Sequence, residues 1–214
     1  MSEFIMEDDF DYFYNDEGFG PPIEALQVDE DTLKKYENKL PKRLLYYWKE
    51  YGFSGWGNGL FWLVNPADYD DLLHKFLEKT NFLDKDELFV IARTAFGELF
   101  VWSKNSGESV TINPTIHKIF PRILEDDSYE PDFEIDIFFS SKNKERLDLR
   151  DEKNKLLFER AQKKLGPLNR FEIYGFVPAL VLGGSMELEN LKKVPVLAHL
   201  NMLAELADTE IYTL

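Results

Sequence analysis

Residues 86–120, DELFVIARTAFGELFVWSKNSGESVTINPTIHKIF, limit the possible folds more than any other stretch of the chain. Residues 88–92 are a short continuous apolar run, the pattern of a strand covered on both faces. A turn through 94–97 leads to a second strand at 98–102. Residues 103–107 gather the Ser, Asn and Gly that favour turns. Residues 108–113 then alternate, with Val110 and Ile112 on one face and Ser109 and Thr111 on the other. Asn113-Pro114 breaks this run, and residues 116–120 supply a fourth strand. This β-meander predicts an α+β fold. An antiparallel sheet spans residues 60–120 with helices beside it, and a smaller helical and β C-terminal half packs on the same core.

The flanking segments carry helix patterns. Residues 29–40 place Leu33, Tyr36 and Leu40 at helical spacing, with Asp29 or Asp31 as the cap. Pro41 starts a second helix, which lines up Leu44, Leu45, Trp48 and Tyr51 and stops at Gly52. Gly55-Trp56-Gly57-Asn58-Gly59 reads as a flexible loop before a strand at 60–64. Asn65-Pro66 opens a helix with Tyr69, Leu72, Leu73, Phe76 and Leu77 on one face, and Asp68, Asp70 and Asp71 in its first turn suit the helix dipole. Residues 133–141 fit a weak strand or a short helix. Residues 143–165 read as mostly helical and 172–182 as a strand or buried loop. Leu188, Leu191 and Val194 suggest a short helix, and 195–207 a last one.

Charge is the dominant compositional feature. The chain of 214 residues carries 40 acidic against 25 basic side chains, a net charge of −15, and no Lys or Arg precedes Lys34. Such a surface repels nucleic acid and anionic membranes and attracts basic partners. Cys is absent, which excludes disulfides and cysteine metal sites. No apolar run reaches the roughly 18–20 residues that cross a bilayer, and the acidic start lacks the basic region of a secretory signal. The expected location is therefore cytoplasmic. Residues 1–30 interleave their acids with Phe4, Phe10, Tyr12, Phe13, Tyr14 and Phe19. A disordered tail is poor in aromatics, so this arm is expected to pack its rings on the body and leave its carboxylates in water.

Catalytic signatures are missing. Gly55, Gly57 and Gly59 precede a strand where a phosphate loop precedes a helix, and no Lys-Ser/Thr pair follows. His74, His117 and His199 have no partner at metal-ligand spacing, and no Ser sits in a G-x-S-x-G elbow. No catalytic residue, metal or cofactor is expected. Trp48, Trp62 and Trp102 read as core. Trp56, in its glycine-rich loop, reads as an exposed interface anchor.

Several blocks resemble the GAD-like domain: Phe19-Gly20-Pro21-Pro22, Leu40-Pro41, Leu44-Leu45, Tyr47-Trp48, Tyr51-Gly52, Gly59-Leu60-Phe61-Trp62, Val64-Asn65-Pro66 with Tyr69, and Ala92-Arg93-Thr94-Ala95-Phe96-Gly97 with Trp102. Lys164-Leu165-Gly166-Pro167-Leu168, Tyr174-Gly175-Phe176-Val177-Pro178-Ala179-Leu180 and Gly183-Gly184 resemble the C-terminal domain usually joined to it. The pair is found in type VI secretion immunity proteins matched to DNase effectors. The resemblance implies a non-catalytic antidote that binds a cognate toxin. It divides the chain into an acidic aromatic arm (1–18), a GAD-like domain (19–125) and a C-terminal immunity-protein domain (126–214).

A nuclease needs a basic groove, and an acidic inhibitor is steered to such a groove. The expected partner-binding residues are Asp8, Asp9, Asp11, Tyr12, Tyr14, Asp16 and Glu17 of the arm, Trp56, and Glu125, Asp126, Asp127, Glu130 and Asp132 of the second acidic stretch. Three rival readings remain open on sequence: an enzyme gathering His117 or His199 with dispersed carboxylates, a scaffold or regulator binding another basic protein, and general DNA mimicry.

Overall fold

The computed structural model describes residues 8–84, 86–122 and 129–212. Its frame is an eight-stranded sheet built from β1 (Ile23–Leu26), β2 (Phe53–Trp56), β3 (Phe61–Leu63), β4 (Leu88–Thr94), β5 (Leu99–Ser103), β6 (Gly107–Asn113) and β7 (Lys118–Pro121) in sequence order, with β10 (Glu210–Ile211) at the far edge. All neighbours are antiparallel except β10, which runs parallel to β7. Between them in sequence, β8 (Glu172–Phe176) and β9 (Leu191–Pro195) form a separate antiparallel hairpin. The α+β architecture and the meander of β4 to β7 agree with the sequence.

Register sets the two faces. Phe100 pairs with Thr111 and Thr111 with Phe120, so the three share one row. Leu99, Ile112 and Ile119 form the adjacent row and point the opposite way. The helices among the described residues are α1 (Asp8–Asp11), α2 (Glu30–Tyr36), α3 (Lys42–Tyr51), α4 (Asp70–Leu77), α5 (Pro131–Ser140), α6 (Lys144–Leu147), α7 (Phe158–Leu165) and α8 (Val196–Leu206). Phe138 of α5 meets Phe100 and Trp102 edge-on, which puts α5 over the Phe100 face. Helix α4 packs against β4 and α8.

Local chemistry accounts for the boundaries. Asp29 caps α2 by accepting from the Thr32 amide at 2.7 Å. Gly52 ends α3 with φ +68°, and a Cβ there would lie 2.4 Å from the Leu26 carbonyl oxygen, so β1 can approach only a glycine. Asn65 accepts from the Ala67 amide, and Pro66 opens a short 3-10 turn before α4.

Four expectations change. Residues 55–59 are no flexible loop: Gly55 and Trp56 belong to β2, and residues 57–59 form a 3-10 turn in which Gly57 and Gly59 are buried and Asn58 is exposed. Gly55 leaves room for the Trp62 ring, which would lie 2.9 Å from a Cβ. The ambiguous stretch 133–141 is helical, with α5 started by Pro131. Only the two ends of 143–165 are helical, as α6 and α7. Between them Asp151 accepts from the Lys153 and Lys155 amides and fixes a turn. Lastly, Leu191 and Val194 sit in β9, because β8 offers its edge to their backbone.

Contacts cross the boundary expected at residue 125. Helix α5 packs on α1 and α3, and β10 extends the sheet laid down by residues 23–121. The buried Arg93 donates to the Thr94 and Arg170 carbonyls and lies over the Trp62 ring, tying β4 to the start of the β8 hairpin.

Candidate partner-binding face

Of the rings expected to turn inward, Phe10, Phe13 and Phe19 do so, Tyr14 is partly buried, Tyr12 stays exposed, and Phe4 lies outside the described residues. Phe10, Phe13 and Phe19 are completely buried. Phe10 stacks on Tyr47 at 4.0 Å and meets Phe139 and Trp56 edge-on. Phe13 stacks on Phe19 at 4.4 Å. Each such ring contributes roughly 1.5–3 kcal/mol by leaving water. That burial outweighs the mutual repulsion of the carboxylates between the rings, which exposure to water screens.

Asp8 and Asp16 are exposed and Asp9 is partly so, and none of the three has an ion-pair partner among the described residues. Asp11 accepts from Asn15 at 2.7 Å. Glu17 accepts from both the Tyr12 hydroxyl and Asn143. The Glu17 carboxylate raises the Tyr12 phenol pKa, and Tyr12 itself stays 44% exposed. Tyr14 plays a packing role: its ring covers Gly20, where any Cβ would lie 2.4 Å away.

The second acidic stretch meets the arm through α5, which packs beside α1. Glu130 is exposed just ahead of the helix. Asp132 accepts from the Arg43 amide at 3.0 Å and so caps the first turn of α3 across space. Four residues on, the buried Asp136 pairs with Arg43 at 2.6 Å. Glu125, Asp126 and Asp127 lie outside the described residues.

Trp56 requires a correction. Its side chain is fully buried among Phe10, Phe13, Tyr14 and Tyr51. Neighbouring glycines suggested exposure, but here they let the backbone pass close to rings. Sequence reasoning missed Phe133, which is 60% exposed in the first turn of α5. On a helix, residue 133 points away from the buried Ile135, Phe138 and Phe139. Leaving the segment between strand and helix hid that position.

His117 Nε2 lies 2.9 Å from the Leu203 carbonyl oxygen. His199 packs on Gly175, and burial lowers its pKa. Among the described residues no group of three or more His, Asp or Glu is arranged to hold a metal ion, and no helix is long and apolar enough to cross a membrane.

Residues 10–116 match the sequence profile of the GAD-like domain. The chain belongs to the GAD-like family. That match opens at Phe10, inside the arm, in keeping with the burial of Phe10 and Phe13 in the core of the GAD-like domain. Residues 132–207 match the profile described as T6SS immunity protein Tdi1, C-terminal. The GAD-like domain is thus joined to a type VI secretion immunity domain, the pairing that the sequence motifs resemble. The fold is similar to the crystal structure of Atu4351 from Agrobacterium tumefaciens, with a TM-score of 0.82 and 25% identity over 93% of this chain and 91% of that one. No match was found among curated proteins.

Proposed function

We propose that this GAD-like immunity protein binds one cognate type VI effector in the cytoplasm and blocks it stoichiometrically, with no catalysis of its own, and that the effector carries a basic DNase domain. The observation that carries this reading is the arm: three buried rings hold it in place, while Asp8, Asp9 and Asp16 project unpaired into water. A net charge of −15 steers the molecule toward a cationic groove. The proposed contact set is Asp8, Asp9, Asp11, Tyr12, Asp16 and Glu17 with Glu130 and Asp132, continued by Glu125, Asp126 and Asp127. Phe133 and Tyr12 replace Trp56 as aromatic anchors, since both are exposed beside acids. Carboxylates lying over the toxin's DNA groove would exclude the phosphate backbone.

The test is an affinity capture from the native bacterium at moderate salt, with this protein as bait and mass spectrometry of what it holds. The expected result is one dominant partner bearing a toxin domain. A salt-sensitive crowd of unrelated basic proteins would instead indicate general DNA mimicry.

A further inference from the structure

The sheet face beside α5 is not fully covered. Where α5 ends, the chain turns through Ser141, Lys142 and Asn143 into α6, leaving an open cleft of about 380 Å³ over β5, β6 and β7. Its floor is the row of Phe100, Thr111 and Phe120, and its walls include Glu98, Lys142 and Arg146. We propose that this cleft is a binding site for a small organic anion, a carboxylate attached to a flat apolar body.

Four groups argue for that chemistry. Arg146 lines the cleft from α6 and is exposed, and its guanidinium has no ion pair or side-chain hydrogen bond among the described residues. Arg43, Arg93, Arg122, Arg150, Arg160 and Arg170 each have a side-chain partner, which sets Arg146 apart among the described arginines. Its forked donors match a carboxylate. Lys142 also lines the cleft and is buried; burial lowers its pKa and the neighbouring Glu108 carboxylate opposes that. Its ammonium sits 3.9 Å from the Phe138 ring centroid, 4.5 Å from that of Phe100 and 3.3 Å from Glu108. The Thr111 hydroxyl has no partner among the described residues and lies in the floor.

Glu98 completes the set. It accepts from Asn113 at 3.3 Å, and burial pushes its pKa up to about 7. Near neutrality a large share of this carboxyl is protonated and can donate rather than repel an anion. The partly exposed Phe120 and the buried Phe100 line the floor with apolar surface against which an aromatic body can lie.

The experiment is a titration of the full chain, followed by calorimetry and ligand-observed NMR, with three probes: benzoate, inorganic phosphate and benzylamine. Benzoate is expected to bind saturably, phosphate more weakly and benzylamine not at all. Arg146→Met, at an exposed position that burdens no core packing, is expected to weaken benzoate by roughly ten-fold or more. Thr111→Val is expected to weaken it less. Absence of saturable benzoate binding, equal binding of benzylamine, or benzoate binding unchanged in Arg146→Met would overturn the site. Phosphate binding as tightly as benzoate would overturn the role given to the rings.

Discussion

Phe10 lies nearly flat on Tyr47, with ring centroids 4.0 Å apart and planes 20° from parallel. This contact joins the acidic arm to α3, so the described part of the arm, from Asp8, is packed into the core. Phe10→Ala is expected to cost about 3–5 kcal/mol, the usual loss for a buried phenylalanine. A urea unfolding curve would measure it. Asn at Asp8, Asp9 and Asp16 together should leave the unfolding midpoint within error of the parent, because these side chains have no partner among the described residues. Loss of stability in the triple variant would show that the carboxylates hold the arm.

The pair of Arg43 and Asp136 joins α3 to α5 across the seam between the two matched profiles. Asp136 is buried and Arg43 partly exposed. Removing one partner of a buried pair leaves the other charge without compensation. Arg43→Ala is therefore expected to destabilise by about 3 kcal/mol and to loosen both halves in one cooperative transition. Two separate unfolding steps in the parent protein would contradict this shared core.

Glu98 gives stability a pH dependence of known sign. Burial raises its pKa to about 7 in the folded protein, against an ordinary value of 4.5. The folded state holds this proton more tightly, so the contribution to stability is full below the unfolded pKa and is lost as pH rises through the folded one. Stability is expected to fall between about pH 4.5 and 7, by at most about 3 kcal/mol from this group. Glu98→Gln should flatten that part of the curve. An unchanged slope in Glu98→Gln would assign it to another group.

Charge and anchors should separate in binding kinetics. Neutralising Asp8, Asp9 and Asp16 is expected to slow association with the effector by roughly ten-fold at low salt and to reduce its salt dependence. Phe133→Ala is expected to act on dissociation, since apolar anchors govern how long a complex lasts. Stopped-flow or surface-plasmon measurements distinguish the two. An identical effect of both variants on association alone would remove Phe133 from the interface.

The meander was legible because each strand is bracketed by turn formers and carries its own apolar pattern, as in Val110 and Ile112 of β6. The arm was legible because rings amid acids leave few other arrangements. Other features depend on distant partners. The β1 strand needs the edge of β2, and its run Ile23–Leu26 has no strong pattern of its own. Leu191 and Val194 fit a helix or a strand equally well until β8 is in place. Trp56 was misread because glycines permit either a mobile loop or close backbone packing, and only the rings of residues 10, 13, 14 and 51 decide which. Asp132 shows the same limit: its acidity was plain, but its use as a cap for α3 is set by tertiary packing.

The most direct measurement is DNA cleavage by the cognate effector's toxin domain, titrated with this protein at moderate salt. The expected result is complete loss of cleavage at one-to-one stoichiometry, with a higher amount needed when Asp8, Asp9 and Asp16 are neutralised. Cleavage that persists at excess inhibitor, or inhibition matched by an unrelated acidic protein, would contradict the account.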